Sequence, residues 1–378
     1  LPPARIGVVG TGFAAHGFIR ALARERDLAL ARVLTRRPRA SWPALPFADA
    51  LTDDPAALIA SSDLVVECSG DVIHATAVLE AVQSAGLPIV TMDAELQVTT
   101  GSWFAARGVC TEAHGDQPGC LAALREEAVA MGFRPLVYGN IKSFLDPDPA
   151  RAEMERWAAR QGLSLAQTVS FTDGTKLQFE MALVANGLGA RLAKPGMIGA
   201  RDPDLAAGAR LLAAAAGRAG GPIADYALYA GSPPGVFVVA TRDDDGDRQA
   251  LRNMRLGDGP HYLLVRPYHL CHLEIPRTVR RVLGGGGPLL DNGARPRFGV
   301  VAIAKVPLEP GRAIERGIGS FDVRGEARAL DGARGLVPLG LLAGARLRRA
   351  VAPGQPLAFD DVELPPSRAL ELWRSLIP

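Results

Sequence analysis

Between a short apolar run and an amphipathic one the chain reads Gly7-Val8-Val9-Gly10-Thr11-Gly12-Phe13-Ala14-Ala15, and no other stretch limits the fold so sharply. Gly10 permits a tight turn, Gly12 lets backbone approach a pyrophosphate, and Ala15 lets the helix pack closely on the strand. A G-x-G-x-x-A alone is weak. Set after a strand and ahead of a helix, it predicts a dinucleotide-binding βαβ unit, the alternative being a tight βα turn that holds nothing. Thr11, Phe13 and Ala14 join Gly10 and Gly12 as candidate cofactor contacts.

The pattern continues as an α/β domain. Residues 6–9, 28–34, 64–67 and 88–92 read as strands, and 13–26 and 75–85 as helices, which predicts a parallel sheet with right-handed crossovers. An NAD site places an acid at the end of the second strand, to hold the ribose hydroxyls. Here the residues are Thr35-Arg36-Arg37, which suit a 2′-phosphate, so NADP(H) is favoured over NAD; the alternative is a pair of solvated arginines. Cys68, Ser69 and Gly70 follow the third run, where cofactor-contacting loops belong. Asp93 follows the next, at the expected nicotinamide edge, with Glu95 a candidate substrate contact.

At 378 residues the chain has room for two or three cores. Its 42 basic and 40 acidic residues nearly cancel, so no strong field points to nucleic acid or a membrane surface. No apolar run approaches the ~20 residues of a membrane span. The first residues lead straight into a strand without room for a signal peptide, so a cytoplasmic location is expected. Cys68, Cys110, Cys120 and Cys271 form no C-x-x-C pair and read as free thiols. Lys142, Lys176, Lys194 and Lys305 are the only lysines in an arginine-rich chain, marking places where arginine's fixed charge will not serve.

The middle block, residues 115–282, mixes helices at 121–131, 150–161, 176–193 and 202–217 with strands at 169–171, 236–240 and 262–265. Three polar clusters read as turns: Glu112 to Gly119, Tyr138 to Lys142, and Thr172 to Lys176. Lysines beside amides and carboxylates suit carbonyl chemistry, because an ammonium can polarise a ketone or protonate the alkoxide as hydride arrives. Lys142, Lys176, Asp173, Asp116 and Asn140 are the catalytic candidates, and Gln117, Asn186 and His269 candidate substrate contacts. The alternative is that the acids shape turns and the lysines are solvated. The run His269-Leu270-Cys271-His272-Leu273-Glu274 is read as a strand that would split its donors between two faces. No metal ligands are therefore assigned, and a divalent metal is left open as a cofactor. No hydrolase or phosphoryl-transfer motif is present.

The strand ends at 67–70 and 91–95 resemble homoserine dehydrogenase-like oxidoreductases. The phrases at 115–119, 138–142, 172–176 and 267–272 narrow this: together with the C-terminal segment they resemble the 1-deoxy-D-xylulose-5-phosphate reductoisomerase-like enzymes. Asp93 departs from the asparagine usual there in homoserine dehydrogenase-like proteins. The resemblance implies an α/β architecture of an N-terminal Rossmann domain (1–120), a central α+β catalytic and dimerisation domain (121–290), a small β-clip, SAF-like module (297–365) and a closing helix (366–378). Two Pro-Gly phrases at 306–314 and 351–357 fit that module, beyond a glycine linker at 284–288. The activity implied is NADP(H)-dependent reduction, or reduction coupled to carbon rearrangement, of a small polyhydroxylated, phosphorylated carbonyl compound. The alternatives are a dehydrogenase of a hydroxy acid or amino alcohol and a non-catalytic NADP-binding sensor. A homodimer is expected, the Ala-rich helix at 202–217 offering small-residue faces.

Overall fold

The computed structural model describes residues 2–231, 233–243 and 245–376, with backbone only for Pro43 and Asp245. Leu1, at the head of the expected Rossmann domain, and residues 377–378 of the expected closing helix lie outside the described residues. The chain forms two compact units: 1–116 with 270–295 and 366–378, and 117–269 with 296–365. Each is discontinuous in sequence, so the expected central domain is divided, with 270–295 in the first unit.

In the first unit, β1 (Ala4–Val9), α1 (Phe13–Leu22), β2 (Leu28–Leu34) and β3 (Leu51–Thr52) are followed by α2 (Pro55–Ser61), β4 (Leu64–Glu67) and α3 (Val72–Ser84). Then come β5 (Ile89–Thr91), α4 (Ala94–Leu96), α5 (Ser102–Ala105) and β6 (Cys110–Glu112). The six strands form one parallel sheet in the order β3-β2-β1-β4-β5-β6, the Rossmann arrangement, with the chain reversing direction of growth beside β1. Alternate residues of β1 feed different cores: Ile6 and Val8 pack with Phe18 and Leu64 on one face, Val9 with Val65 and Leu79 on the other.

In the second unit, α6 (Gln117–Ala130) leads into β7 (Arg134–Lys142), then α7 (Arg151–Gln161), α8 (Leu165–Thr172) and α9 (Thr175–Gly187). After β8 (Ala200–Arg201) and α10 (Leu205–Ala219) come β9 (Ile223–Leu228), β10 (Gly235–Thr241), α11 (Arg248–Asn253) and β11 (His261–Arg266). The sheet runs β11-β10-β7-β9-β8, with β10 antiparallel to both its neighbours and β7 and β9 parallel. Gly139 of β7 lies opposite Phe237, whose ring a Cβ at 139 would meet at 2.0 Å, so the ring fills the place of the missing side chain. The alanines of α10 face their own sheet, Ala209, Ala213 and Ala216 packing with Val137 and Ile223. That face of the helix is used inside the unit, while Ala214 and Gly217 lie exposed on the helix.

Three expectations are corrected here. Residues 169–171 are helical, because Ser164 and Gln167 form a reciprocal capping box that starts α8. Tyr138 to Lys142 is the end of strand β7, not a turn. Cys271–Leu273 is a 3-10 turn, so the alternation of faces assumed for a strand at 269–274 does not apply.

The second unit also contains β12 (Phe298–Ala304), β13 (Ala313–Ile314), β14 (Val323–Ala329), β15 (Ala345–Leu347) and β16 (Val362–Glu363). β12 pairs with β14, and β13, β15 and β16 form a small sheet. The two Pro-Gly phrases pair with each other, Leu308 and Val351 exchanging N–H···O bonds of 3.0 and 2.9 Å. A polar row on α9 joins this segment: Thr175 Oγ1 accepts Gly325 N–H (2.9 Å) and Gln178 Oε1 accepts Ala327 N–H (2.8 Å). Back in the first unit, α12 (Ile275–Leu283) adds Ile275 and Val279 to the core beneath α1, and α13 (Arg368–Leu376) packs on α3. Among the described residues no helix is long and apolar enough to cross a membrane.

Candidate functional sites in the two units

At the carboxyl edge of the first unit's sheet, Gly10 has φ +108°, and a Cβ there would lie 2.8 Å from the Cys68 carbonyl oxygen, so only glycine fits. Gly12 caps α1 without a side-chain bond, and a Cβ there would meet nothing within 4 Å. The first turn of α1 is thus an open cradle of backbone N–H groups, which fits a pyrophosphate. Thr11 is buried in the turn, Phe13 is half exposed, and Ala14 is partly buried behind it.

The two arginines after β2 differ. Arg36 is paired with Asp71 at 2.5 Å, the acid that also caps α3 through His74 N–H. Arg37 donates from Nε to Thr11 Oγ1 (2.9 Å), its own N–H bonds Thr35 Oγ1 (3.2 Å), and its carbonyl accepts the Trp42 indole N–H (3.0 Å). With Nε anchored, the Nη pair of Arg37 forms a fork that suits a phosphate monoester.

Cys68 contributes backbone: its N–H bonds the Val9 carbonyl (2.9 Å), while burial pushes its thiol well above the usual range. Glu67, absent from the candidates chosen on sequence, organises the loop after β4. Its Oε1 accepts both the N–H and the hydroxyl of Ser69 (2.5 and 2.6 Å), and its Oε2 accepts Thr91 Oγ1–H (2.8 Å). Burial raises the Glu67 pKa, with the Ser69 and Thr91 bonds opposing the shift. An acid ending an apolar strand with a serine two residues on was the available signal. Gly70 takes φ +65° in this loop. Thr91 accepts Asp93 N–H (2.9 Å), and Asp93 Oδ1 caps α4 through Leu96 N–H (3.1 Å). Asp93, Glu95 and Asp116 are all buried.

In the second unit Asn140 and Lys142 share one face of β7, toward α6 and α9. Lys142 Nζ donates to Gln117 Oε1 (2.6 Å) and lies 3.4 Å from Glu180 Oε2. Gln117 Nε2 donates to Asn140 Oδ1 (2.5 Å) and to the Gly235 carbonyl (2.8 Å), and Asn140 Nδ2 donates to Glu180 Oε2 (2.7 Å). Asn140 is fully buried, whereas the Lys142 side chain keeps 17% of its surface exposed. In sequence Glu180 is only a helical residue after Lys176; its place beside Lys142 depends on the register of α9 against β7.

Other candidates stand apart from this ring. Asp173 pairs with Lys305 at 2.6 Å with side-chain exposures of 0% and 2%, and its Oδ1 accepts Thr175 N–H (2.8 Å). That is a buried strut, so the catalytic expectation for Asp173 is replaced by a structural one. Asn186 is likewise structural, accepting Arg297 and Phe298 N–H and donating to the Phe298 carbonyl. Lys176 and His269 are partly buried. Among the described residues no group of three or more His, Cys, Asp or Glu side chains is arranged to hold a metal ion.

Residues 115–275 match the family described as oxidoreductase DRL, catalytic domain. No curated protein matches the chain. Among solved structures it is similar to UDP-N-acetylglucosamine 3-dehydrogenase from Acidithiobacillus ferrooxidans, at 14% identity over 77% of this chain and 93% of that one, TM-score 0.44. Similar too are a myo-inositol dehydrogenase from Corynebacterium glutamicum (11%, 75% and 90%, 0.44) and biliverdin reductase from Synechocystis in complex with biliverdin and NADP+ (14%, 77% and 94%, 0.40). With the Rossmann arrangement of the first unit, the family match makes the chain an NAD(P)-dependent oxidoreductase.

Proposed function

We propose that the chain is an NADP(H)-dependent reductase or reductoisomerase of a small polyhydroxylated, phosphorylated carbonyl compound. The observation that carries the reading is the Lys142 ammonium, held on Gln117 and Glu180 at the end of β7 yet still open to solvent. The N–H groups of the first turn of α1 would bind the pyrophosphate, and the Arg37 fork the 2′-phosphate that distinguishes NADP from NAD. When bound, the nicotinamide supplies the hydride. Lys142 gives its proton to the oxygen that gains the carbonyl π electrons, and the amine recovers a proton from solvent, completing the secondary or primary alcohol. Lys176 is a second cation suited to a phosphorylated substrate. The paired Pro-Gly phrases support reading 297–365 as SAF-like, and the resemblance supports a homodimer.

The test is NADPH and NADH binding by fluorescence titration, followed by NADPH oxidation with a panel of ketose and aldose phosphates and analysis of the product skeleton. Lys142→Ala is expected to lower turnover at least a hundredfold while leaving NADPH affinity unchanged, and Lys176→Ala to weaken use of phosphorylated substrates. Unchanged turnover in both would remove the site assignment. Oxidation of hydroxy acids without rearrangement would move the chain to the plain dehydrogenases.

A further inference from the structure

Strand register in the second unit sets an arginine in line with Lys142. Lys142 of β7 pairs with Leu228 of β9, and Leu228 pairs in turn with Arg201 of β8. Both pairings are parallel, so the three side chains leave the sheet on one face, with Lys142 and Arg201 two strands and about 10 Å apart at Cα. The preceding row, Ile141, Ala227 and Ala200, points the other way, into the core under α10. Leu228 keeps part of its surface exposed between the two cations, and Arg201 is exposed. Tyr226 pairs with Asn140 and shares the Lys142 face. Gly199 takes φ +67°, and a Cβ there would run into the Tyr226 hydroxyl, so the phenol lies over the start of β8 in space that only glycine leaves. Burial raises the Tyr226 pKa and Asp225 adds to it, while Arg201 and Arg324 oppose the shift, so both guanidiniums stand within electrostatic reach of the phenol. The acids nearby are committed elsewhere. Asp225 accepts the N–H groups of Ile198, Gly199 and Tyr226 (2.9, 2.9 and 2.8 Å), and Glu326 faces Arg324 at 3.7 Å and Arg328 at 2.7 Å. Among the described residues neither the Arg201 guanidinium nor the Tyr226 hydroxyl has a hydrogen-bond or ion-pair partner.

Resting on the carbonyl-reductase reading, we infer that Arg201 and the Tyr226 hydroxyl determine specificity by binding a terminal phosphate monoester of the compound whose carbonyl oxygen meets Lys142. A guanidinium offers two parallel N–H donors and the phenol a third, which matches the three terminal oxygens of a monoester; a carboxylate has only two oxygens to offer. The row gives the ligand its direction: carbonyl at β7, carbon chain across Leu228, phosphate at β8. The ~10 Å between the outer strands favours a phosphate several carbons from the carbonyl over one on the adjacent carbon.

Binding is measured first, without turnover. With NADP+ present to occupy the first unit's cradle, the protein is titrated calorimetrically with glycerol 3-phosphate, with glycerate and with glycerol. Glycerol 3-phosphate is expected to bind, Arg201→Ala to weaken it at least tenfold, Tyr226→Phe to weaken it several-fold, and Arg201→Lys to retain part of the affinity. The thermal transition reports whether each variant is folded. Turnover then separates the roles. Arg201→Ala should raise KM at least tenfold more for a sugar phosphate than for the unphosphorylated sugar, and should lower kcat far less than Lys142→Ala does. No binding of glycerol 3-phosphate by the wild type, or equal binding by the wild type and Arg201→Ala, overturns the inference. Tighter binding of glycerate that is lost in Arg201→Ala assigns the pair to a carboxylate and overturns the phosphate class. The titration needs no reaction, so its failure speaks only to Arg201 and Tyr226, and an unreactive sugar-phosphate panel only to the carbonyl-reductase reading.

Discussion

Arg36 and Arg37 are neighbours in sequence, yet one is neutralised by Asp71 while the other is anchored through Nε to the glycine-rich turn. The difference predicts separable effects on nucleotide choice. Arg37→Ala should weaken NADPH binding by about tenfold or more, the scale of one charge-assisted phosphate contact, and leave NADH binding nearly unchanged. Arg36→Ala should affect both nucleotides weakly, since the exposed Asp71 pair contributes little. Fluorescence titration of the two variants with both nucleotides decides it; equal loss in both would return the 2′-phosphate to the pair as a whole. The sequence showed that two cations follow β2. It could not show that one of them is taken, because Asp71 arrives from the turn after β4.

At the scale of elements, a buried strut in the second unit runs from Lys305 to Asp173, reinforced by the Lys305 bond to the Ser320 carbonyl at 2.8 Å. Removing one partner leaves the other buried and uncompensated, so Lys305→Met should cost about 3–5 kcal/mol in urea denaturation. Lys305→Met with Asp173→Leu should recover most of it; no recovery would mean that the pair contributes more than mutual compensation. The Rossmann strands were legible because buried parallel strands leave continuous apolar runs, and residues 28–34 and 64–67 are strands over the predicted spans. The candidate site was half legible. Lys142, Asn140 and Gln117 were chosen for their chemistry and come together, whereas Asp173 and Asn186 had the same chemistry and serve packing. Local sequence says what a side chain can do, but its neighbours come from register between distant elements: α9 against β7 for Glu180, and α9 against β14 for Thr175 and Gln178. Residues 169–171 failed differently, because the β-branched and aromatic pattern was outweighed by a capping box five residues upstream of Val169.

Across the whole molecule, the described histidines with shifted pKa values lie in the first unit and shift the same way. Burial lowers the pKa of His16, with Arg37 and Arg20 adding to it; burial and Arg20 lower that of His272; burial and Arg36 lower that of His74 against an opposing pull from Asp71. A base depressed in the folded state contributes stability that is present above its unfolded pKa of about 6.5 and lost as pH falls through the folded value. The thermal transition of the first unit should therefore fall between pH 7 and pH 5. His272→Gln should shrink that fall in calorimetry, and an identical fall in the variant would exclude His272 as a contributor. The same unit is assembled from three separated stretches of chain, with α13 completing its packing on α3. During synthesis α13 follows every strand of the second unit. The packing of α13 on α3 is therefore added only after the second unit's strands have been made, although the six-stranded sheet itself is complete once β6 has emerged.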